Sequence, residues 1–449
     1  MSEDTTNHTN QLARRLGAFD ATMIVMGGII GSGIFINPYV VARQVHTPFL
    51  ILGCWLVGGI VALAASFIWA ELAARRPDVG GQYAYLREAF HPAIAFLYGW
   101  VLLLVIQTGG MAAVAVTFSK YFLDLTHLPI NSSILAATVV AVLTVVNCLG
   151  VRAGSNVQNI FMVLKIVAIT ALVVCGLLLI APSPASETKE LLDRSFSMDL
   201  ITGIGAAMVP VLFAYGGWQT ATFLAGEIRD PQKNLPRGLI IGVVGVVICY
   251  TALNFVYLRA LGINGLAQTT TPATDVMRHA LGDIGAIAIA VGIAISTVGF
   301  LSQSMLTAPR VYFAMAKDGL FFKTVAAVHP KTRVPTVAIA LQGLLTIIIA
   351  LAGAYEQILN YVVSMDFIFF GLTACCIFVF RRRGAGGGAF VKVPGHPITT
   401  LLFVAICWLV VINTIYRYPN NTLIGLAILL AGIPAYLFWN SSRTSRSSH

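Results

Sequence analysis

The sequence predicts an all-α, polytopic membrane protein, on three observations: its composition, the length of its apolar runs, and the placement of its basic residues. Its 449 residues are 57% hydrophobic and 10% charged, with a mean hydropathy of +0.84. A soluble domain carries about 25% charged residues and about 45–50% apolar ones. No water-facing surface this size could hide that excess, so the usual prior of two or three globular domains gives way to a bilayer.

A helix needs about 20 mostly apolar residues to cross a bilayer. After a polar tail (1–17), such runs lie near 18–42 and 48–74, the second stopped by Arg75-Arg76-Pro77-Asp78. Runs 92–122, 131–150 and 157–181 follow, stopped by Ala181-Pro182-Ser183-Pro184. A loop (182–199) leads to runs 200–226 and 236–261, parted by Asp230-Pro231, then to 284–314, 335–353 and 357–380. A Gly-rich linker (384–397) precedes 398–416 and 421–439, parted by Pro419-Asn420, and a short tail (441–449). That makes twelve spans. A β-barrel is excluded, because its segments alternate apolar and polar over about 10 residues.

With an even span count both termini share one side. Placing that side in the cytoplasm puts 20 of the 28 Lys and Arg residues inside and 7 outside, with Lys165 within span 5. The net charge of +10 is therefore a topology signal rather than a nucleic-acid footprint. The seven cysteines all fall in apolar segments without metal-ligand spacing, so neither a disulfide framework nor a metal site is expected. The polar N-terminus carries no signal-peptide pattern. No GxxxxGK[ST], HExxH or GxSxG is present, which argues against an ATP-driven pump or an enzyme and implies no cofactor.

Two spans carry glycine at their middles: Gly27-Gly28 and Gly31-Ser32-Gly33 in the first, Gly216-Gly217-Trp218 in the sixth. Glycine costs roughly 1 kcal/mol in a helix interior relative to alanine, so these clusters invite local unwinding. Bare backbone at membrane depth is tolerated only where protein or a polar ligand satisfies it. Secondary transporters use Gly-interrupted helices at corresponding positions of two inverted repeats in this way; close helix packing is the plainer alternative. Free N–H groups at a half-helix N-terminus favour a carboxylate, and free carbonyls suit an ammonium. A zwitterionic amino acid carries both. The amides of Ser32 and Gly33 are thus candidates for the carboxylate, and the carbonyls of Ile29, Phe213 and Gly216 for the amine, with Ile30, Gly31 and Ala214 completing the cradle.

These residues, with others, resemble the amino acid–polyamine–organocation superfamily and, within it, the L-amino acid transporter branch. The matching motifs are Gly-Ser-Gly-Ile-Phe at 31–35, Ala70-Glu71-Leu72, Gly80-Gly81-Gln82-Tyr83-Ala84-Tyr85, Phe213-Ala214-Tyr215-Gly216-Gly217-Trp218, Glu227 with Asn234-Leu235-Pro236-Arg237, and Arg310 through Gly319. The resemblance covers roughly 15–440. It implies a 5+5 inverted repeat (18–181 and 200–383) with peripheral helices over 398–440, alternating access, and sodium-independent exchange of neutral L-amino acids. It makes Phe213 a gating aromatic and Trp218 an aromatic packed beneath the substrate. Members joined to a heavy chain use a cysteine between spans 3 and 4. Residues Lys120 to Asn131 contain none, which points to a prokaryotic inner-membrane relative without that partner.

Lys165 lies within span 5, where a lysine costs about 2.5–3.5 kcal/mol on insertion scales and should be paired or functional. The resemblance makes it a built-in cation at a sodium position, bonded to backbone near Gly28 and to a span-8 hydroxyl, with Ser304 the candidate. Asp366 lies within span 10, with three roles open to it: a coupled proton, the substrate's side chain, or a structural tie. The first would make the chain a proton-coupled symporter instead. Glu71, Glu227 and Asp230 read as surface pairs or gates beside Arg75, Arg76, Arg229 and Arg237. A receptor that binds an amino acid without moving it is the alternative from another class.

Overall fold

Proline starts most of the long helices and glycine bends them. The computed structural model describes residues 16–148, 154–183, 197–330, 332, 334–352, 355–384 and 390–447. Residues 1–15 and 184–196, which hold most of the expected N-terminal tail and loop, and 385–389, part of the expected linker, lie outside that set.

The first run is two helices, α1 (Ala18–Ile29) and α2 (Gly33–Gln44). The second is α3 (Pro48–Arg75), followed by a short α4 (Gln82–Ala89) that no apolar run announced. Span 3 joins α5 (Pro92–Val101) through a π-helical turn, Leu102–Ile106, to α6 (Gln107–Thr126). Then come α7 (Ser132–Cys148), α8 (Gly154–Leu178), and the sixth run as α9 (Met198–Tyr215) and α10 (Thr220–Phe223). The remainder is α11 (Pro231–Gln268), α12 (Pro272–Thr307), α13 (Pro309–Lys317), α14 (Thr336–Ala352), α15 (Tyr355–Arg382), α16 (Ile398–Arg417) and α17 (Pro419–Ser447). Among the described residues there is no strand.

All twelve expected runs are helical. Among the described residues, nine helical stretches are long and apolar enough to cross a membrane, or ten with α1 and α2 taken as one bent span. The other two, α7 and α14, have 17 residues each, about 25 Å at 1.5 Å per residue and at the short end of the spanning range. Three ends differ from expectation. The helix of span 8 begins at Pro272 and kinks at Gly282, where φ is +66°. The helix of span 7 runs past Gly262, where φ is +65°. That of span 12 continues to Ser447, through most of the expected tail. At Gly262 and Gly282 the backbone leaves helical geometry, so each extension is a separate helical piece beyond a kink.

The outer surface is apolar: Ile60 on α3, Ile248 on α11 and Leu409 on α16 are all exposed. Inside, helices meet through small residues, as expected where lipid removes the hydrophobic drive between them. Gly238 and Gly242, one turn apart on α11, face α1 so closely that a Cβ on Gly238 would lie 2.6 Å from that of Ala21. A Cβ on Gly242 would lie 2.7 Å from a Val25 methyl. This contact seats the first half of span 1. Gly238→Val should cost about 1–3 kcal/mol by overpacking, read as a lower melting temperature of the detergent-purified protein, with backbone atoms of Ala21 and Thr22 too near to yield.

Candidate substrate site

The two glycine clusters coincide with two breaks. α1 stops at Ile29, whose successor Ile30 leaves helical geometry (ψ 86°), and α2 resumes at Gly33 with the axis bent by 41°. α9 stops at Tyr215; Gly216 is extended (ψ 161°) and Gly217 takes φ +110°, a region that favours glycine. The breaks lie against each other. A Cβ on Gly217 would sit 2.1 Å from the Gly28 carbonyl oxygen, and one on Gly33 would sit 2.8 Å from Ala214 Cα. Bulk at any of these positions would force the two spans apart.

Side chains from four other elements hold the opened backbone. The Tyr250 hydroxyl on α11 lies 3.1 Å from the Ile29 carbonyl and 3.2 Å from the Ala214 carbonyl, spanning both breaks. Lys165 on α8, 1% exposed, donates from Nζ to the Ile30 carbonyl at 2.9 Å. Gln303 on α12 donates to the Ile24 carbonyl at 2.8 Å, and Asn37 on α2 to the Pro210 carbonyl at 2.6 Å. These are the partners that membrane-depth backbone requires. The Ile29 carbonyl also accepts from Gly31 N–H at 2.9 Å, so with Tyr250 both of its lone pairs are engaged.

Between the breaks lies a cavity lined by Ile29, Gly31, Ser32 and Gly33 from span 1 and by Phe213, Ala214 and Gly216 from span 6. Gln107 and Gly110 of span 3, Ser304 of span 8, and Asp366 and Phe367 of span 10 also line it. Ser32 Oγ is buried without a hydrogen-bond partner among the described residues. The π turn that precedes Gln107 is fixed by Thr108 Oγ1, which donates to the Leu103 carbonyl at 2.8 Å; such turns often mark functional positions.

Other expected residues fall outside the lining. Ile30 is fully buried, with its carbonyl on Lys165. Trp218 is buried behind the cavity, its ring 5.0 Å from Phe370 and 6.1 Å from Trp69. Phe370 in turn meets Phe367 at 5.4 Å, so aromatic rings run from the cavity wall towards the end of α3. The Lys165 ammonium bonds the opened backbone two residues past Gly28, at Ile30. Against α12 the lysine stem packs at Gly299, where a Cβ would lie 3.6 Å from Lys165 Cε. Ser304 instead faces the cavity while its carbonyl accepts from Gln342 at 3.1 Å.

At the end of α3, Glu71 is not a surface pair. It is fully buried, and accepts from Arg75 at 2.9 Å, from Arg381 at 2.6 and 2.8 Å, and from Val393 N–H at 2.8 Å. A carboxylate can be buried only with such compensation. Glu227 pairs with Arg310 at 3.1 Å rather than with Arg229 or Arg237. Nearby, Tyr83 donates to Asp318 at 2.8 Å, and Arg87 pairs with the same carboxylate. Burial, with Asp318 adding to it, pushes the Tyr83 phenol up, so it stays a neutral donor. The motifs around Glu71, Tyr83, Glu227 and Arg310 thus meet at one end of the bundle.

Sequence reasoning missed Tyr250, Gln303, Asn37 and the π turn. A lone tyrosine in an apolar run carries no local signal, whereas Gly238-Leu-Ile-Ile-Gly242 was a readable sign that span 7 packs closely on a neighbour.

A bundle of membrane-length helices in which two broken spans meet at one internal cavity is the architecture of a carrier. The chain belongs to the amino acid permease family, whose model matches residues 16–433. It is an amino acid transporter, not an enzyme. It is 32% identical over 439 residues to large neutral amino acids transporter small subunit 2 of Mus musculus, covering 95% of this chain and 82% of the relative. It is 31% identical over 432 residues to the serine/threonine exchanger SteT of Bacillus subtilis, covering 95% and 97%. To the b(0,+)-type amino acid transporter 1 of Homo sapiens it is 30% identical over 438 residues, covering 96% and 89%.

Tyr250→Phe removes the one hydroxyl proton that the Ile29 and Ala214 carbonyls share and leaves the ring, while Ile29 keeps the Gly31 N–H. The loss of that donor costs about 1–3 kcal/mol, so transport should lose about tenfold in apparent affinity, measured by uptake into proteoliposomes matched for protein.

Proposed function

We propose that this chain exchanges neutral L-amino acids across a prokaryotic inner membrane without sodium, gripping the substrate's α-carboxylate and α-ammonium between the two broken spans. One observation carries the reading: a single cavity is lined by both breaks. The N-terminal end of α2, at Ser32 and Gly33, offers N–H groups and the positive end of a helix dipole to the carboxylate. The C-terminal end of α9, at Phe213 and Gly216, offers carbonyls to the ammonium. The activities for which the relatives are named, large neutral amino acid transport and serine/threonine exchange, support the same substrate class and the exchange mode.

Lys165 supports independence from sodium. Its ammonium already bonds the opened backbone at Ile30, supplying a fixed positive charge where a bound cation would otherwise be required. Residues 18–181 and 200–383 form the two repeats in this proposal, and spans 1, 2, 6 and 7 rock against spans 3, 4, 8 and 9. Phe213, half-buried on the cavity wall, closes over the substrate, and the Trp218 cluster backs it. Both termini lie in the cytoplasm, as the basic residues favour, and no heavy chain is needed.

Counterflow in proteoliposomes preloaded with substrate, with one labelled amino acid competed by all twenty, tests the reading. Accumulation blocked by neutral amino acids is expected; binding without accumulation identifies a receptor, and accumulation only under an imposed pH gradient identifies a proton symporter. Replacing sodium by choline should leave the rate unchanged, and strict sodium dependence would refute the exchanger. Lys165→Ala should slow exchange at least about tenfold, since an unpaired Ile30 carbonyl is left at membrane depth; an unchanged rate and apparent affinity would remove the lysine from the mechanism.

A further inference from the structure

Away from the cavity, unbalanced positive charge gathers at the end of the bundle that holds Glu71. Four exposed cations lie there: Lys233 and Arg237, one turn apart on α11, Arg382 at the end of α15, and Lys392 before α16. The Arg237 guanidinium lies over the Phe390 ring, 4.9 Å from its centre, and Lys392 follows two residues on. Val393 N–H and Arg381 both bond Glu71, which holds that segment beside the end of α15. Nearby carboxylates are already paired, Glu71 with Arg75 and Arg381, and Glu88 with Arg76. Exposed Asp230 offsets one charge of the four. Among the described residues no ion pair reaches Lys233, Arg237, Arg382 or Lys392.

An apolar lane leaves from the same point. Arg237, Ile241, Val244 and Ile248 follow at spacings of four, three and four, which puts them on one stripe of α11. The three apolar side chains are exposed, while Leu239, Val243, Val246 and Tyr250 on the other side of the helix are fully buried. From Arg237 to Ile248 the helix rises about 16 Å at 1.5 Å per residue, close to the depth of one leaflet, half of about 30 Å. The half-exposed Phe390 ring covers one face of the guanidinium. Its N–H edge stays available, and that edge matches a phosphate in a paired, planar contact. We infer that this stripe and its basic end bind an anionic glycerophospholipid of the leaflet at that end. Its phosphate meets Arg237 with Lys233 and Lys392 as neighbours, and an acyl chain lies along Ile241, Val244 and Ile248. A zwitterionic lipid brings its own ammonium to the phosphate and gains less from these cations. Gly238 and Gly242 of the same helix seat α1, so the bound lipid braces the span on which the first break is mounted. This site depends on neither the substrate nor the mode of transport.

The full chain, purified in detergent and stripped of lipid, is titrated with phosphatidylglycerol or with phosphatidylcholine of the same acyl chains, and lipid adducts are counted by native mass spectrometry. The first phosphatidylglycerol should bind at least about tenfold more tightly than phosphatidylcholine, from several cations each worth about fivefold at an anionic headgroup. Arg237→Gln should weaken that adduct about fivefold and leave phosphatidylcholine binding unchanged. Phe390→Leu, which removes the ring beneath the guanidinium, should weaken it in the same direction. Lys323, exposed in the turn after α13, is the control, and Lys323→Gln should leave the adduct as it is. Equal binding of the two lipids by the wild type would overturn the proposal even if no variant folds. So would a loss in Arg237→Gln no greater than in Lys323→Gln, which marks general surface charge. Displacement of the lipid by an equal concentration of inorganic phosphate would also overturn it, since the site would then read a soluble anion.

Discussion

The contact between Gly28 and Gly217 is the constraint on which the rest of the site depends. Two helices interrupted at membrane depth expose peptide groups that water cannot reach. Here each interruption is pressed against the other, with the Gly28 carbonyl where a Cβ of Gly217 would stand. That closeness lets the single hydroxyl of Tyr250 reach carbonyls of both spans. It also places the start of α2 and the end of α9 on one cavity wall. Without glycine at these positions the spans would separate and their dipoles would address different spaces.

Around the breaks, buried side chains bond the backbone of spans 1 and 6: Lys165 on Ile30, Gln303 on Ile24, Asn37 on Pro210. These bonds fix the shape of the site. Glu71 shows the same principle at the far end of α3. Its buried carboxylate is met by two arginines and a backbone N–H, tying α3 to α15 and to the segment before α16, while the Trp69, Trp218 and Phe370 rings separate it from the cavity.

Much of this was legible because glycine and charge are costly in a membrane. Gly27-Gly28, Gly31 and Gly216-Gly217 announced the breaks to within a few residues, and Lys165 and Asp366 announced themselves by being where charge is expensive. The partners were not legible. That Lys165 would bond Ile30 in particular, that Ser304 would face the cavity instead of the lysine, and that Glu71 would be buried depend on helix rotation and crossing, which hydropathy does not encode. Tyr250 is the clearest case, since one hydroxyl in an apolar run gives no hint of which carbonyls lie opposite it.

The amino-acid sequence by itself determined the bilayer as solvent, the twelve helical runs, the two interruptions and the family, because each follows from local composition, spacing or motif. Tertiary structure decided which interrupted backbone faces which, which polar atoms are met, and which residues of spans 3, 8 and 10 line the cavity between the breaks. Those outcomes arise from packing between helices far apart in the chain, where distances of a few tenths of an ångström separate a hydrogen bond from an orphaned atom.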